Sequence, residues 1–170
     1  MLRLMLFRHA KSDRPSGVED HERPLAHRGR EESALMGRHM AREGLVPDLV
    51  SVSTSVRTRE TWTLARPAFL QTPARRDEPR LYNASAQTLL AVAREADSSI
   101  GSQLLIGHNP GLYDLAVQLA AKGDATLLAR LRDGLPTAGL VVIDFDLARW
   151  SDIDDRLGTL IRFDTPGAAR

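Results

Sequence analysis

The sequence predicts an α/β protein, a three-layer α/β/α sandwich with a mainly parallel central sheet. Short, nearly continuous apolar runs at residues 2–7 and 103–107 are typical of strands buried on both faces. Longer amphipathic segments separate such runs along the chain. Strands that alternate with helices favour a parallel sheet covered by helices on both sides.

The predicted elements follow in a simple order. Strands are predicted at 2–7, 49–53, within 76–81 and at 103–107, and helices at 24–43, 58–69, 86–96 and 112–121. Residues 138–145 and 158–163 predict two closing strands around a polar turn, in which Trp150 is expected to be exposed. Residues 10–24 form a predicted loop, and long ordered loops are often functional. We expect one domain over 1–165 and a frayed tail at 166–170.

Composition excludes several functional classes. The net charge of +1 indicates no general attraction to nucleic acid or to a membrane. The chain has 0 cysteines, which excludes a thiolate metal site and a cysteine nucleophile. The first apolar run breaks at Arg8, too early for a signal peptide, and no run is long enough to cross a bilayer. We therefore expect a cytoplasmic protein, with its oligomeric state left open.

Three predicted strand ends carry side chains that suit an oxyanion. Arg8 and His9 end the first strand, Arg57 follows the second, and His108 follows the strand at 103–107. The carboxyl ends of parallel strands meet at one edge of the sheet, so these groups should converge. Two arginines and one imidazole would hold a tetrahedral oxyanion and leave the other imidazole to react, while Ser12 could add a contact.

The residues after the second and third of these strands predict helix starts. Hydroxyl side chains at 53–55 can cap the helix that carries Arg57. Asn109 is a good N-cap and Pro110 suits a first helical position, which would place His108 beside a helix N-terminus. No metal-ligand spacing and no glycine-rich phosphate loop is present, so neither a metal nor a cofactor is predicted.

At these residues the chain resembles the histidine phosphatase superfamily, also called the phosphoglycerate mutase-like family. Arg8-His9 matches the first motif, with Ala10 where glycine is usual; Ser53-x-x-x-Arg57-x-x-x-Thr61 matches the second and Gly107-His108 the third. Residues 20–25 and 107–110 are similar to those of the small SixA-type phosphohistidine phosphatases. Only residues 58–106 separate the second and third motifs, which leaves no room for the helical lid of larger members.

The resemblance implies a phosphatase mechanism without a metal. Neutral His9 would attack phosphorus and form a phosphohistidine intermediate, and Arg8, Arg57, His108 and Ser12 would bind the phosphoryl oxygens. His108 would serve best when protonated. The substrate class implied is phosphohistidine on a protein, in signal transduction.

One departure leaves the proton donor open. Many family members have a glutamate acid near the position of Asn83, whose amide cannot donate a titratable proton. An imidazole leaving group would need less help, or an acid could come from the long loop: Asp13, Asp20, His21 or Glu22. The alternatives are a phosphatase of small sugar or nucleotide phosphates and a weakly catalytic phosphoprotein-binding module; a mutase fits least well.

Overall fold

Seven strands form one twisted sheet in the computed structural model, which describes all of residues 1–170. The strands are β1 (Leu2–Arg8), β2 (Leu49–Val52), β3 (Ala74–Asp77), β4 (Ser102–Gly107), β5 (Ala120–Gly123), β6 (Leu140–Phe145) and β7 (Gly158–Asp164). Their order across the sheet is β3-β2-β4-β1-β6-β7-β5. Only β6 pairs antiparallel with both of its neighbours, so the predicted mainly parallel sheet is confirmed.

Six helices cover the two faces of the sheet. They are α1 (His27–Arg42), α2 (Val56–Ala65), α3 (Ala86–Arg94), α4 (Gly111–Leu119), α5 (Ala125–Arg132) and α6 (Pro166–Ala169). Side chains of α3, α4 and α5 share one core with alternate residues of β1, and those of α1, α2 and α6 share the other. The α/β/α sandwich is therefore confirmed. No helix combines the length and the apolar character that crossing a membrane requires.

Two elements at one edge of the sheet were not predicted. The helix expected at 112–121 ends at Leu119, and the next four residues pair with β7 as β5. Nothing in the sequence Ala-Ala-Lys-Gly favours a strand, so this pairing depends on tertiary contact alone. The start of α5 does carry a local signal, because the Asp124 carboxylate accepts hydrogen bonds from the amides of Thr126 and Leu127.

Two expectations near the C-terminus were wrong. Residues 166–169 are not frayed but form α6, which packs against α1 with Ala169 buried. Trp150 is buried rather than exposed, and its indole Nε1 donates to the carbonyl of Ile100 at 2.6 Å. The indole is a large apolar group, so its burial stabilises the folded protein provided that its N–H has a hydrogen-bond acceptor.

Candidate active site

The three predicted strand ends meet because their strands are neighbours. β2, β4 and β1 are adjacent and parallel, so their carboxyl ends open at one edge of the sheet. Arg8 is the last residue of β1 and His9 follows it, Arg57 lies in the first turn of α2, and His108 follows β4. All four line one cleft of about 280 Å³. No apolar residue lines that cleft, which suits it to a charged, hydrated group.

His9 is held by one ring nitrogen. Its Nδ1 lies 2.7 Å from the Ala10 carbonyl, and because a carbonyl only accepts, Nδ1 carries the proton. Nε2 then has its lone pair free and makes no hydrogen bond within the chain. Burial above all, with the neighbouring guanidinium charges, lowers the pKa of His9 to about 4. The imidazole is therefore neutral at physiological pH, in the tautomer that a nucleophile needs.

His108 faces His9 across the cleft, with ring centroids 5.3 Å apart. Its Nε2 lies 2.7 Å from the Ser53 hydroxyl and its Nδ1 lies 3.4 Å from Arg57 Nη2. Burial above all lowers the pKa of His108 to about 3, and the charges of Arg57 and Arg8 act in the same direction. His108 is therefore neutral in the free site, and the expectation of a protonated His108 applies to the site with an oxyanion bound.

The two predicted arginines are fixed by backbone carbonyls. Arg8 Nη1 donates to the carbonyl of Leu135 at 3.0 Å, and Arg57 Nη1 donates to the carbonyl of Asp20 at 2.7 Å. Both Nε groups are buried and make no hydrogen bond within the protein. Buried donors without a partner are costly, and here they lie in two residues that line the same cleft. An oxyanion in the cleft is the ligand that such donors suit.

A third arginine of the cleft, the buried Arg23, was missed as a site residue. It comes from the long loop, donates from Nε to the carbonyl of Asp13 at 3.0 Å and from Nη2 to the Ser12 hydroxyl at 2.5 Å. Ser12 thus lines the cleft as predicted, with its hydroxyl already bonded to Arg23. Residues 20–25, which include Arg23, had been noted for their resemblance to the family. The sequence alone did not indicate that the Arg23 side chain reaches the cleft.

Asp20 joins the loop to the rest of the site. Its carboxylate accepts from Arg23 Nη1 at 2.8 Å, from Arg57 Nη2 at 3.1 Å and from the Tyr82 hydroxyl at 2.5 Å. The hydrogen bond from Tyr82, then that from Arg23, holds the pKa of Asp20 well below its usual range. Asp20 is therefore ionised at neutral pH and has no proton to give to a leaving group.

The other acid candidates of the loop lie outside the cleft. Neither Asp13 nor Glu22 lines it, and His21 is bonded from Nε2 to the Thr54 hydroxyl at 2.9 Å. Asn83 does line the cleft, in a left-handed backbone conformation with φ 51° that asparagine tolerates better than most residues. Of the carboxyl groups of the chain, only that of Asp20 lines the cleft.

The rim adds more positive charge. Lys11 and Arg14 are exposed and line the cleft, so five cationic side chains surround one carboxylate there.

The carbonyl of Lys11 lies so close to α1 that a Cβ on Gly29 would be 2.0 Å from it, which explains why this position is a glycine. No group of three or more His, Cys, Asp or Glu side chains is arranged to hold a metal ion.

The third strand end differs slightly from its prediction. The helix begins at Gly111 with Pro110 as the cap residue, one position later than expected. Asn109 still caps the first turn, because its Oδ1 accepts from the amide of Tyr113 at 3.2 Å while its Nδ2 donates to the carbonyl of Leu135 at 2.8 Å. At the second strand end, the predicted hydroxyl cap is Ser55.

Comparison with known proteins places this geometry in a family. No family model matches the chain. An uncharacterized protein of Mycobacterium tuberculosis is 35% identical over 162 residues, covering 94% of this chain and 99% of that protein. A candidate phosphohistidine phosphatase SixA from Agrobacterium tumefaciens is 30% identical, with a TM-score of 0.79 over 97% of this chain and 98% of the other. The protein histidine phosphatase SixA complexed with tungstate shares the fold, with 19% identity and a TM-score of 0.74 over 99% and 100% of the two chains.

The chain belongs to the histidine phosphatase, or phosphoglycerate mutase-like, superfamily. Within that superfamily it is of the SixA type, which its lack of a lid also fits: only β3, α3 and short turns lie between α2 and β4.

Proposed function

We propose that this protein is a metal-independent phosphatase that removes the phosphoryl group from a phosphohistidine side chain of another protein, in signal transduction. The observation that carries the proposal is the state of His9. Its Nδ1 proton is bonded to the Ala10 carbonyl, its Nε2 lone pair is free, and it lines a cleft with the buried Arg23 and Arg57 and the half-buried Arg8.

The first chemical step forms a bond between His9 Nε2 and phosphorus. The P–N bond to the substrate imidazole breaks as the new P–N bond forms. The substrate ring, protonated on its other nitrogen, takes the electron pair and leaves as neutral imidazole. The Ala10 carbonyl holds the ring in place and stabilises the Nδ1 proton as positive charge develops on His9. Water then attacks the phosphorylated His9, and inorganic phosphate leaves with restoration of the neutral imidazole.

Arg8, Arg57 and His108 bind the phosphoryl oxygens during both steps, as proposed from the motifs. Both arginines line the cleft, and their guanidinium groups supply charge-assisted hydrogen bonds to these oxygens. His108 is neutral in the free site, and a bound phosphate dianion would favour its protonation by offsetting the nearby cations. Arg23, tied to Ser12 and Asp20, holds the loop against the cleft and adds positive charge.

The cleft holds no protonated carboxyl group, and this supports a nitrogen-linked phosphoryl group. An alkoxide leaving group needs a proton from the enzyme, whereas an imidazole can leave with much less assistance. Asp20, the loop acid that lines the cleft, is ionised and bonded to two arginines. The lack of a lid and of apolar lining also fits a substrate presented on the surface of a protein.

Phosphate release tests the proposal. A protein carrying phosphohistidine and a panel of sugar and nucleotide phosphates would be assayed with a chelator present, using the wild type, His9→Ala and the control His27→Ala, whose side chain is 78% exposed. We expect rapid release from phosphohistidine alone, lost in His9→Ala and kept in the control. Preference for a small ester would refute the protein substrate, and activity in a folded His9→Ala protein would refute the mechanism.

A further inference from the structure

The catalytic cleft continues into a second depression whose lining has a different chemistry. This second depression, here called the carrier lobe, has a volume of about 410 Å³ and shares Asn83 and Asn109 with the catalytic cleft. Ser85 and Asp114 contribute its other polar side chains, and no lysine or arginine lines it. The sign of the lining charge therefore reverses between the two: five cations lie in the cleft, and one carboxylate lies in the lobe.

The boundary between the cleft and the lobe is firmly built. The Asn109 amide is bonded on both sides, to the Leu135 carbonyl and to the Tyr113 amide. The start of α4 lies so close to the loop before α3 that a Cβ on Gly111 would be 2.1 Å from the carbonyl of Ala84. Only glycine allows this approach, so the wall of the lobe is set before any substrate arrives.

Asp114 is the charged group of the lobe. It is exposed, and its carboxylate forms no ion pair or hydrogen bond within the chain. Two arginines of the adjoining cleft, Arg8 and Arg57, donate to the carbonyls of Leu135 and Asp20 and not to Asp114. A substrate that spans both regions therefore meets positive charge at its phosphoryl group and negative charge beside it.

We propose that the carrier lobe binds the residues that flank the phosphohistidine and that Asp114 selects a basic flanking residue. This inference rests on the proposed function and adds its specificity. A volume of about 410 Å³ accommodates one or two side chains next to the phosphoryl-bearing imidazole. A lysine or arginine there pairs with Asp114, and an acidic residue is repelled by it.

The test compares three phosphohistidine peptides of equal length, with lysine, alanine or glutamate on both sides of the phosphohistidine. We expect the wild type to show a kcat/KM about three-fold higher for the lysine peptide than for the alanine peptide, the size expected for one exposed ion pair, and a similar reduction for the glutamate peptide. Asp114→Asn should remove the preference, and Asp114→Lys should reverse it.

A matched control variant and the melting temperature separate a loss of specificity from a change in overall charge or in stability. Asp146→Lys makes the same charge change at an exposed carboxylate just after β6, at the opposite edge of the sheet, and should keep the wild-type preference. Asp114 also lies in the first turn of α4, where a carboxylate stabilises the helix; loss of that role would lower the melting temperature without altering the peptide ratio.

Three results would overturn the inference. If wild type and Asp114→Lys show the same peptide ratio while both release phosphate rapidly, the lobe does not select the flanking residue and the proposed function stands. If Asp146→Lys reverses the preference as Asp114→Lys does, only overall charge matters. If the wild type hydrolyses a small aryl phosphate but none of the peptides, the proposed protein substrate fails, and the specificity fails with it.

Discussion

The depressed pKa of His9 predicts a specific loss of stability in acid. The ordinary pKa of 6.5 applies to the unfolded chain, and in the folded protein burial and nearby cations lower it to about 4. Between these two values the unfolded chain holds a proton on His9 that the folded protein lacks. The free energy of unfolding therefore rises with pH in this window and falls as the solution is acidified.

The size of this effect follows from the two pKa values. One pKa unit corresponds to about 1.4 kcal/mol, and proton linkage from pH 7 to pH 4.5 gives a loss of roughly 2.5 kcal/mol from His9 alone. His108, whose pKa is lowered to about 3, contributes in the same direction. Two buried imidazoles at one site should thus make the protein unusually sensitive to mild acid.

Urea denaturation at the two pH values measures the effect. His9→Asn keeps a donor near the Ala10 carbonyl and removes the titration, so the variant should lose about 2.5 kcal/mol less than the wild type on acidification. His27→Asn, at an exposed histidine, is the control and should follow the wild type. Equal acid losses in wild type and His9→Asn would show that His9 is not held neutral by the fold, and the reasoning about its nucleophilic state would fail.

Three further predictions concern the site and its support. Arg57→Lys keeps the charge but not the planar fork, so kcat/KM should fall about a hundred-fold with little change in melting temperature; a change below about three-fold would place Arg57 outside the reaction. Gly29→Ala puts a Cβ 2.0 Å from the Lys11 carbonyl and should cost about 1–3 kcal/mol and most activity, whereas Gly167→Ala has nothing within 4 Å and should cost neither; equal melting temperatures would contradict this. Trp150→Phe should cost about 1–3 kcal/mol in a denaturant titration, because the Ile100 carbonyl loses the donor that the buried indole supplies, and an unchanged midpoint would contradict this.

The strands and the convergence of their ends could be predicted because the signals are local. A buried strand needs a continuous apolar run, and the residue that follows it has to lie at the edge of the sheet. Arg8, His9, Arg57 and His108 were all found in this way. Ser12 was also placed correctly at the cleft, although its hydroxyl bond to Arg23 could not be foreseen.

The positions of Arg23 and Asp20 depend on how residues 10–24 cross the sheet edge, and no periodicity constrains an irregular segment of that length. The carrier lobe depends on the close packing of α4 against the loop before α3. The same is true of β5, whose sequence has no strand preference, and of Trp150, whose burial depends on contacts from distant parts of the chain.

The fold class, the three strand ends and the set of side chains that suit an oxyanion could be predicted from the sequence, because apolar periodicity and residue type are local properties. The protonation and bonding states of those side chains depend on the tertiary structure. The neutral forms of His9 and His108, the ionised Asp20 and the unpartnered arginine donors all result from burial and from charges brought close by folding. Such effects depend on distance in space, which the order of residues along the chain does not specify.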